Sequence, residues 1–424
     1  MESSRENPSN FTRKRKLPFV DMVLFILSGI NKSLTVQLTD FFSSLGKSDQ
    51  TVTKQAFSKS RMQLRYESLI ELNDTLVQEY YSMEHELYKG YRLLAVDGSM
   101  VELPHGEEIR KTFGSINHSP KGTNCGWSIC FYDVLNEIIV ESKLHKYGNS
   151  ERKLLTDDAR SFKASGKQRK DIIIADRGFP SIDVVYELVR NGYDFVIRYN
   201  GGAFLKESRF FNESPQTDVE LTLDLREIRR RINWARYAFI DKMCPNKVVT
   251  VRLVKIELGG GKTEFLMTTL LDKQLFTPED LKTIYGLRWR GEEAFKLQKC
   301  TAELENISGR SERTIYQDYY AKILMMNMHS IIVQDAEAEL NKDIADGKKK
   351  LKYENYKVNR NVSFGIIRPK LQDLIRPETE GWSQAYDNLV REVKKYIIPV
   401  KPNRSYPRVE KTQQKFPSNK RRAT

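Results

Sequence analysis

The chain has 424 residues, with 70 Lys and Arg against 56 Asp and Glu, so its formal net charge at pH 7 is +14. This length predicts two to four structural units, and a hydrophobic fraction of 39% excludes a wholly disordered chain. A charged fraction of 30% and a mean hydropathy of -0.56 argue against a polytopic membrane protein. The excess of base predicts a polyanionic partner, with nucleic acid as the first candidate and an anionic membrane surface as the second.

The four cysteines are Cys125, Cys130, Cys244 and Cys300, and no two of them form a CxxC pair. The spacing of Cys125 and Cys130 has no second pair of ligands that would complete a zinc site. Isolated reduced thiols of a cytosolic protein are therefore the interpretation that this pattern favours.

Residues 1–16 are polar and basic and are predicted to form a disordered arm. The arm ends in basic residues, and the apolar run 17–30 follows it. This combination resembles a signal peptide. Pro18 and Asp21 interrupt that run, no small-residue cleavage motif follows, and the run is too short to span a bilayer. We therefore expect a buried helix.

Residues 17–85 have helical apolar spacing and are predicted to form a helical DNA-binding domain. A helix that begins near Thr53 would place Lys54, Lys59 and Arg61 on its outer face, as in a helix-turn-helix that reads DNA. A solvated charged helix of a bundle has the same pattern, and this stretch alone leaves both interpretations open.

Residues 88–199 alternate between strand and helix patterns. Strands are predicted at 91–96, 126–134, 137–146, 171–175 and 195–199, and helices at 149–162 and 181–190. This order indicates an α/β unit whose short connections deliver side chains to one sheet edge.

The rest of the chain begins with a β-rich insertion at 200–276. Its strands are predicted at 219–223, 235–241, 248–258 and 263–270, with a turn at 259–261. Region 277–340 is predicted to contain a long helix from Thr277 to about Glu303 and a second apolar helix from Ile315 to about Leu340. A helical region at 341–400 and a basic tail at 401–424 complete the predicted organisation.

Two acidic residues follow predicted strands of the α/β unit. Asp97 and Asp176 each terminate an apolar β-run, and a glycine follows each of them closely. Functional groups converge at the carboxyl ends of such strands. A pair of aspartates there is a minimal cradle for Mg²⁺, and two such ions can activate a nucleophile and stabilise a leaving oxygen.

A third acid lies on the long predicted helix. In an ideal α-helix Tyr285, Arg288, Glu292 and Lys299 fall within an arc of about 60°. One face would then carry a carboxylate for metal and cations for phosphates. An amphipathic helix with an Arg288–Glu292 pair is the structural alternative, which the two aspartates disfavour.

The motifs Asp97-Gly98-Ser99 and Asp176-Arg177-Gly178-Phe179, together with the spaced residues Tyr285, Arg288, Glu292 and Lys299, resemble bacterial insertion-sequence DDE transposases with the YREK signature (insertion sequence four type). The resemblance covers roughly residues 15–335 and implies an RNase H-like catalytic core. It implies that Asp97, Asp176 and Glu292 bind Mg²⁺ or Mn²⁺, with two ions in the site. It also implies phosphate contacts by Tyr285, Arg288 and Lys299, and a base-holding role for Trp289, for which a core Trp is the alternative.

The same resemblance implies cut-and-paste transposition in the bacterial cytoplasm, associated with the nucleoid. The transposon end is hydrolysed, the freed 3′-hydroxyl forms a hairpin that is reopened, and the 3′-hydroxyl then attacks target DNA. A homodimer would pair the two terminal inverted repeats. Two alternatives remain, a stand-alone RNase H-like nuclease and a non-catalytic DNA-binding protein derived from a transposase.

Overall fold

The computed structural model describes residues 4–12, 16–50, 52–116, 122–199, 206–224, 226, 228, 248–258, 261–348, 352–353, 355–375 and 381–400. The predicted strand 235–241, two glycines of the turn at 259–261 and the basic tail lie outside these residues, as does part of the basic arm. The chain divides into two compact units. The first comprises Met1–Val77, Val101–Asn124 and Lys296–Thr424, and the second comprises Gln78–Met100 and Cys125–Phe295.

The described elements give a mixed α/β protein, as predicted. The α-helices are α1 (Phe19–Leu27), α2 (Leu34–Ser44), α3 (Lys54–Arg61), α4 (Glu67–Ser82), α5 (Glu107–Phe113), α6 (Glu151–Ala164), α7 (Ile182–Arg190), α8 (Lys206–Glu213), α9 (Pro278–Gly286), α10 (Arg288–Lys296), α11 (Glu312–Ala345), α12 (Arg360–Ile375) and α13 (Trp382–Val393). The strands are β1 (Arg92–Glu102), β2 (Cys125–Asp133), β3 (Ile138–Lys146), β4 (Asp171–Ala175), β5 (Asp194–Arg198), β6 (Asp218–Asp224), β7 (Val248–Leu258), β8 (Lys262–Thr268), β9 (Asn355–Val358) and β10 (Ile397–Val400).

The first unit has a helical core. Apolar side chains of α1, α2 and α3 pack together with Leu64, Leu69 and, from α11, Ala321 and Leu324. The apolar run after the basic arm is therefore a buried helix, as the sequence predicts. No helix among the described residues is both long enough and apolar enough to cross a membrane.

The second unit is built on one eight-stranded sheet with the order β3-β2-β1-β4-β5-β8-β7-β6. Strands β1, β4 and β5 run parallel, whereas β8, β7 and β6 continue the sheet with antiparallel pairing. The described strands of the predicted insertion are thus part of the central sheet. Strand β4 lies between two parallel neighbours and is buried along its whole length, whereas β6, at the edge of the sheet, is largely accessible.

The first strand does not stop at Asp97, as the sequence predicts, but runs from Arg92 to Glu102. Its pairing with β4 ends at Ala95, so Asp97 lies on the part of the strand that emerges from the parallel core. In the later part of the strand, the side chain of Val101 is fully buried. The end of an apolar run in the sequence marks the point where a strand leaves the buried interior of the sheet. The extended backbone can continue beyond that point.

The predicted single helix from Thr277 to Glu303 is also wrong, because the structure divides it into three segments. A capping box at Thr277 starts α9, as predicted, but the helix is interrupted at Leu287, directly after Gly286. Beyond α10, residues Leu297–Thr301 form a π-helical turn, in which the Ala302 N–H donates to the Leu297 carbonyl. Glycine disfavours a helix interior and a π-turn changes the angular phase, so the ideal 60° arc does not apply.

Candidate active site

Two aspartates lie at the carboxyl-end side of the paired region of two adjacent parallel strands, Asp97 on β1 and Asp176 just after β4. The parallel register pairs Arg92 with Asp171 and Ala95 with Ile174, residues 79 apart in both cases. Asp97 and Asp176 have the same separation, and Asp176 directly follows the last residue of β4. The negative charge of Asp176 is close enough to raise the pKa of Asp97. That these two acids form one metal site stays a prediction.

Backbone N–H groups orient both carboxylates. Asp97 Oδ1 accepts a hydrogen bond from the Gly98 N–H at 2.8 Å, and Asp176 Oδ1 accepts one from the Gly178 N–H at 2.7 Å. A Cβ atom on Gly178 would lie 3.0 Å from Asp176 Oδ1. A glycine at this position therefore lets the loop fold tightly around the carboxylate.

Burial and two neighbouring carboxylates oppose the ionisation of Asp97. Burial raises the pKa of Asp97 to about 6; the Gly98 hydrogen bond and Arg288 act against this shift, and the negative charges of Asp176 and Glu151 add to it. Like-charged carboxylates in a partly desolvated site cannot all ionise cheaply unless a cation neutralises them. The donor set is hard oxygen only, which suits Mg²⁺ or Mn²⁺.

Another acidic residue, Glu151, lies close to Asp97. Glu151 is half-buried in the first turn of α6, and its Oε1 lies 2.9 Å from the place that a Cβ on Gly98 would occupy. Burial and the charge of Asp176 raise its pKa. Its position at the start of a helix that follows a strand is the one sequence signal that could have indicated this.

The third acid of the sequence prediction approaches the same strand through α10. Gly291 faces β1 so closely that a Cβ on it would lie 3.0 Å from Ala95 Cβ. Glu292 follows, and its Oε1 accepts from Arg288 Nη2 at 2.9 Å. The ion pair of the structural alternative is therefore present. Among the described residues, no group of three Asp, Glu, His or Cys side chains is close enough to hold a metal ion.

Two aromatic side chains of this helical region lie close to Arg288. The guanidinium carbon lies 5.6 Å from the ring centroid of Tyr285 and 5.2 Å from that of Trp289. Burial lowers the pKa of Arg288, but the interactions with Tyr285 and with the carboxylate of Glu292 outweigh this and raise it. Tyr285 is buried, whereas Trp289 is 57% exposed, which excludes the core-Trp interpretation.

Comparison with known protein families identifies the family of the region that contains these residues. The transposase DDE domain family matches residues 88–328, more than half of the 424-residue chain. The chain belongs to this family. It is a DNA transposase, and DDE transposases generally use divalent metal ions. Asp97, Asp176 and Glu292 all lie within the matched residues.

Other comparisons add little to this assignment. A cryo-EM structure of the piggyBac transposase synaptic complex with hairpin DNA is similar with a TM-score of 0.39 and 12% identity. That match covers 87% of this chain and 73% of the other. No curated protein matches the sequence.

The remaining DNA-contact predictions for the transposase concern the first unit. Lys54 and Lys59 are exposed on α3, as predicted. Arg61 is not: it is 3% exposed and bonds within the unit to Asp318. Lys299 lies on the π-helical turn, with Nζ 3.6 Å from Glu305 Oε1.

Three further residues, two acids and one histidine, have side chains of the metal-ligating type. Asp171 is buried and forms a two-point ion pair with Arg92, at 2.7 and 3.0 Å. Glu293 is exposed on α10. His329 is fully buried, with Nε2 2.8 Å from Ser363 Oγ, as expected for a core histidine. These three residues are thus poorer metal ligands than Asp97 and Asp176.

Gly291→Ala is expected to reduce transposase activity although alanine favours helices. Alanine normally stabilises a helix interior by about 0.5–1 kcal/mol relative to glycine. Here its Cβ would press on Ala95 and move α10, with Glu292, away from β1. Gly286→Ala is the matched control, since no atom lies within 4 Å of its Cβ position. Thermal melting and a strand-cleavage assay would compare the two variants, and equal activity of both would refute the close-approach argument.

Proposed function

We propose that this transposase moves an insertion sequence by metal-dependent cut-and-paste transposition, with an RNase H-like catalytic core of the YREK type. The observation that carries the proposal is the proximity of Asp97 on β1 and Asp176 just after the adjacent parallel strand β4, both within the matched DDE domain. Hydrolysis at the transposon ends would proceed through hairpins and be followed by strand transfer into target DNA.

Asp97 and Asp176 would hold Mg²⁺ or Mn²⁺, with Glu292 as the third ligand and two ions in all. Such ions polarise phosphate and water oxygens and stabilise the leaving 3′-oxygen. The residues fit this role because both aspartates offer hard oxygen atoms that backbone N–H groups already orient. Burial of Asp97 beside a second carboxylate also favours neutralisation by a cation.

Recruitment of Glu292 would require an exchange of partners. Its Oε1 is bound to Arg288, which is only 7% exposed. If Glu292 turned toward the aspartates, the guanidinium of Arg288 would be left buried and in need of another anion. A DNA phosphate oxygen satisfies that need, because arginine binds phosphates with two parallel hydrogen bonds. Binding of DNA and completion of the acidic site would thus favour each other.

We also assign the DNA contacts as proposals. Tyr285, Arg288 and Lys299 would contact phosphates of the transposon end, and the exposed Trp289 ring offers a stacking face for an extruded base. The helical region 17–85 would bind DNA through Lys54 and Lys59. A homodimer would pair the two ends, and regions 341–400 and 401–424 would supply a helical appendage and a basic tail.

The test is a cleavage assay with duplex DNA that carries the inverted repeats flanking the coding region. We expect nicks, hairpins and strand-transfer products with Mg²⁺ or Mn²⁺, and none of them with excess chelator. Specific cleavage without joining would favour the nuclease alternative. Binding without cleavage in either metal would favour the non-catalytic alternative.

A further inference from the structure

The first turn of α6 contacts the loop that carries the second aspartate. Arg152 Nε donates a hydrogen bond to the Gly178 carbonyl at 2.8 Å. The N–H of the same residue, Gly178, donates to Asp176 Oδ1 at 2.7 Å. Gly178 thus connects the two side chains: its carbonyl accepts from Arg152, and its N–H donates to the Asp176 carboxylate.

The sheet cannot supply this orientation by itself. Strand β4 ends at Ala175, so Asp176 lies just beyond the ladder that pairs β4 with its neighbours. The other described contact within the loop is the hydrogen bond from the Phe179 N–H to the Asp176 carbonyl, at 3.2 Å, which fixes the backbone and not the carboxylate. The direction of the carboxylate depends on where the Gly178 N–H points.

Helix α6 is a firm support for this contact. Leu154 and Leu155 in its second turn are buried in the second unit. Glu151, one residue before Arg152, lies against Gly98, next to the other aspartate. One helical turn thus reaches the motifs of both Asp97 and Asp176, which makes it well placed to set the relation between them.

We infer that Arg152 is a positioning residue that holds the Gly178 peptide, and through it the Asp176 carboxylate, in the orientation that binds the divalent cation. This inference rests on the proposed role of Asp176 as a metal ligand. Outer hydrogen-bond partners of metal ligands typically change metal affinity by about 10- to 100-fold.

The direction in which Mn²⁺ affinity changes when Arg152 is replaced distinguishes a positioning role from a purely electrostatic one. Arg152 is a cation close enough to lower the pKa of Glu151. If charge were its only influence, neutral replacement would remove a repulsive charge and make Mn²⁺ bind more tightly. A positioning role predicts weaker binding, in the opposite direction.

The experiment measures Mn²⁺ affinity of the full chain by electron paramagnetic resonance of the free ion, together with the thermal midpoint. We expect Arg152→Met to weaken Mn²⁺ binding by about 10-fold with an unchanged midpoint. Arg152→Lys should be intermediate, since it keeps the charge but moves the donor. Lys153→Met is the matched control on the same turn, where Lys153 pairs with Asp157 at 2.5 Å, and should bind like wild type.

The variant Asp176→Asn distinguishes failure of the proposed metal-ligand role of Asp176 from failure of the positioning role of Arg152. If this variant binds Mn²⁺ like wild type, the metal-ligand role of Asp176 in the proposed function fails. If it loses binding while Arg152→Met and Arg152→Lys both bind as tightly as wild type or more tightly, the positioning role of Arg152 is overturned. Should Arg152→Met lower the midpoint, Arg152→Lys decides, because its charge is intact and only the donor position differs.

Discussion

Asp97→Asn, Asp176→Asn and Glu292→Gln should each reduce strand cleavage by the transposase by roughly 10³-fold or more. Each replacement keeps the shape of the side chain but removes a charged oxygen donor from the proposed metal site. Loss of metal-assisted charge stabilisation costs several kcal/mol, and about 4 kcal/mol corresponds to a 10³-fold rate change. The measurement is single-turnover cleavage of a labelled end duplex at saturating Mg²⁺.

End binding should survive these replacements. Each one removes a negative charge from a surface that must approach phosphates, so DNA affinity at fixed salt should be equal or higher. Glu293→Gln is the matched control for Glu292→Gln, since Glu293 is its exposed neighbour on α10. A variant of one of the three acids that cleaves at the wild-type rate would remove that residue from the proposed ligand set.

Local sequence signals predict the elements that frame this site. The capping box at Thr277 gives the start of α9, and the isoleucine run of β4 gives a strand buried on both faces. Both signals act over a few residues and do not depend on the rest of the chain. The same holds for Asp176, whose position after β4 follows from the end of that run.

Contacts between distant segments could not be predicted in this way. The sequence allows both a shared cationic face and an Arg288–Glu292 pair. The close approach of Gly291 to Ala95 on β1 joins segments almost 200 residues apart, which no local pattern reports. Glu151 has no motif at all and is recognised only because α6 folds back beside Gly98. Helices α5 and α8 and strands β9 and β10 are absent from the predicted elements, because weak or mixed periodicity gives no clear signal.

Arg61 is the clearest case of a side chain whose role reverses between sequence and structure. On α3 alone it is placed among outward cations, yet its guanidinium donates to Gln317 Oε1 at 2.6 Å and to the Thr314 carbonyl at 2.8 Å. It also forms a buried ion pair with Asp318 at 2.6 Å. A guanidinium has five donors in a rigid fork, so several partners on α11 together can satisfy it away from water.

Arg61→Met should therefore destabilise the first unit by about 3–5 kcal/mol, the usual effect of removing one partner of a buried ion pair. Asp318 would stay buried with a full charge; the Ser308 and Gly309 N–H groups, which donate to its Oδ2 at 2.8 and 3.1 Å, compensate only in part. Urea denaturation, followed by hydrogen exchange of α11 amides, would report this loss.

Lys59→Met provides the contrast on the same helix, because an exposed lysine should change stability by no more than about 0.5 kcal/mol. If Arg61 were a DNA contact, Arg61→Met would instead leave stability unchanged and flatten the salt dependence of DNA binding. The two variants should thus separate cleanly, with Arg61 affecting unfolding and Lys59 affecting DNA affinity. That separation would show α3 to be fixed through its inner face by α11 while its outer face remains available to phosphates.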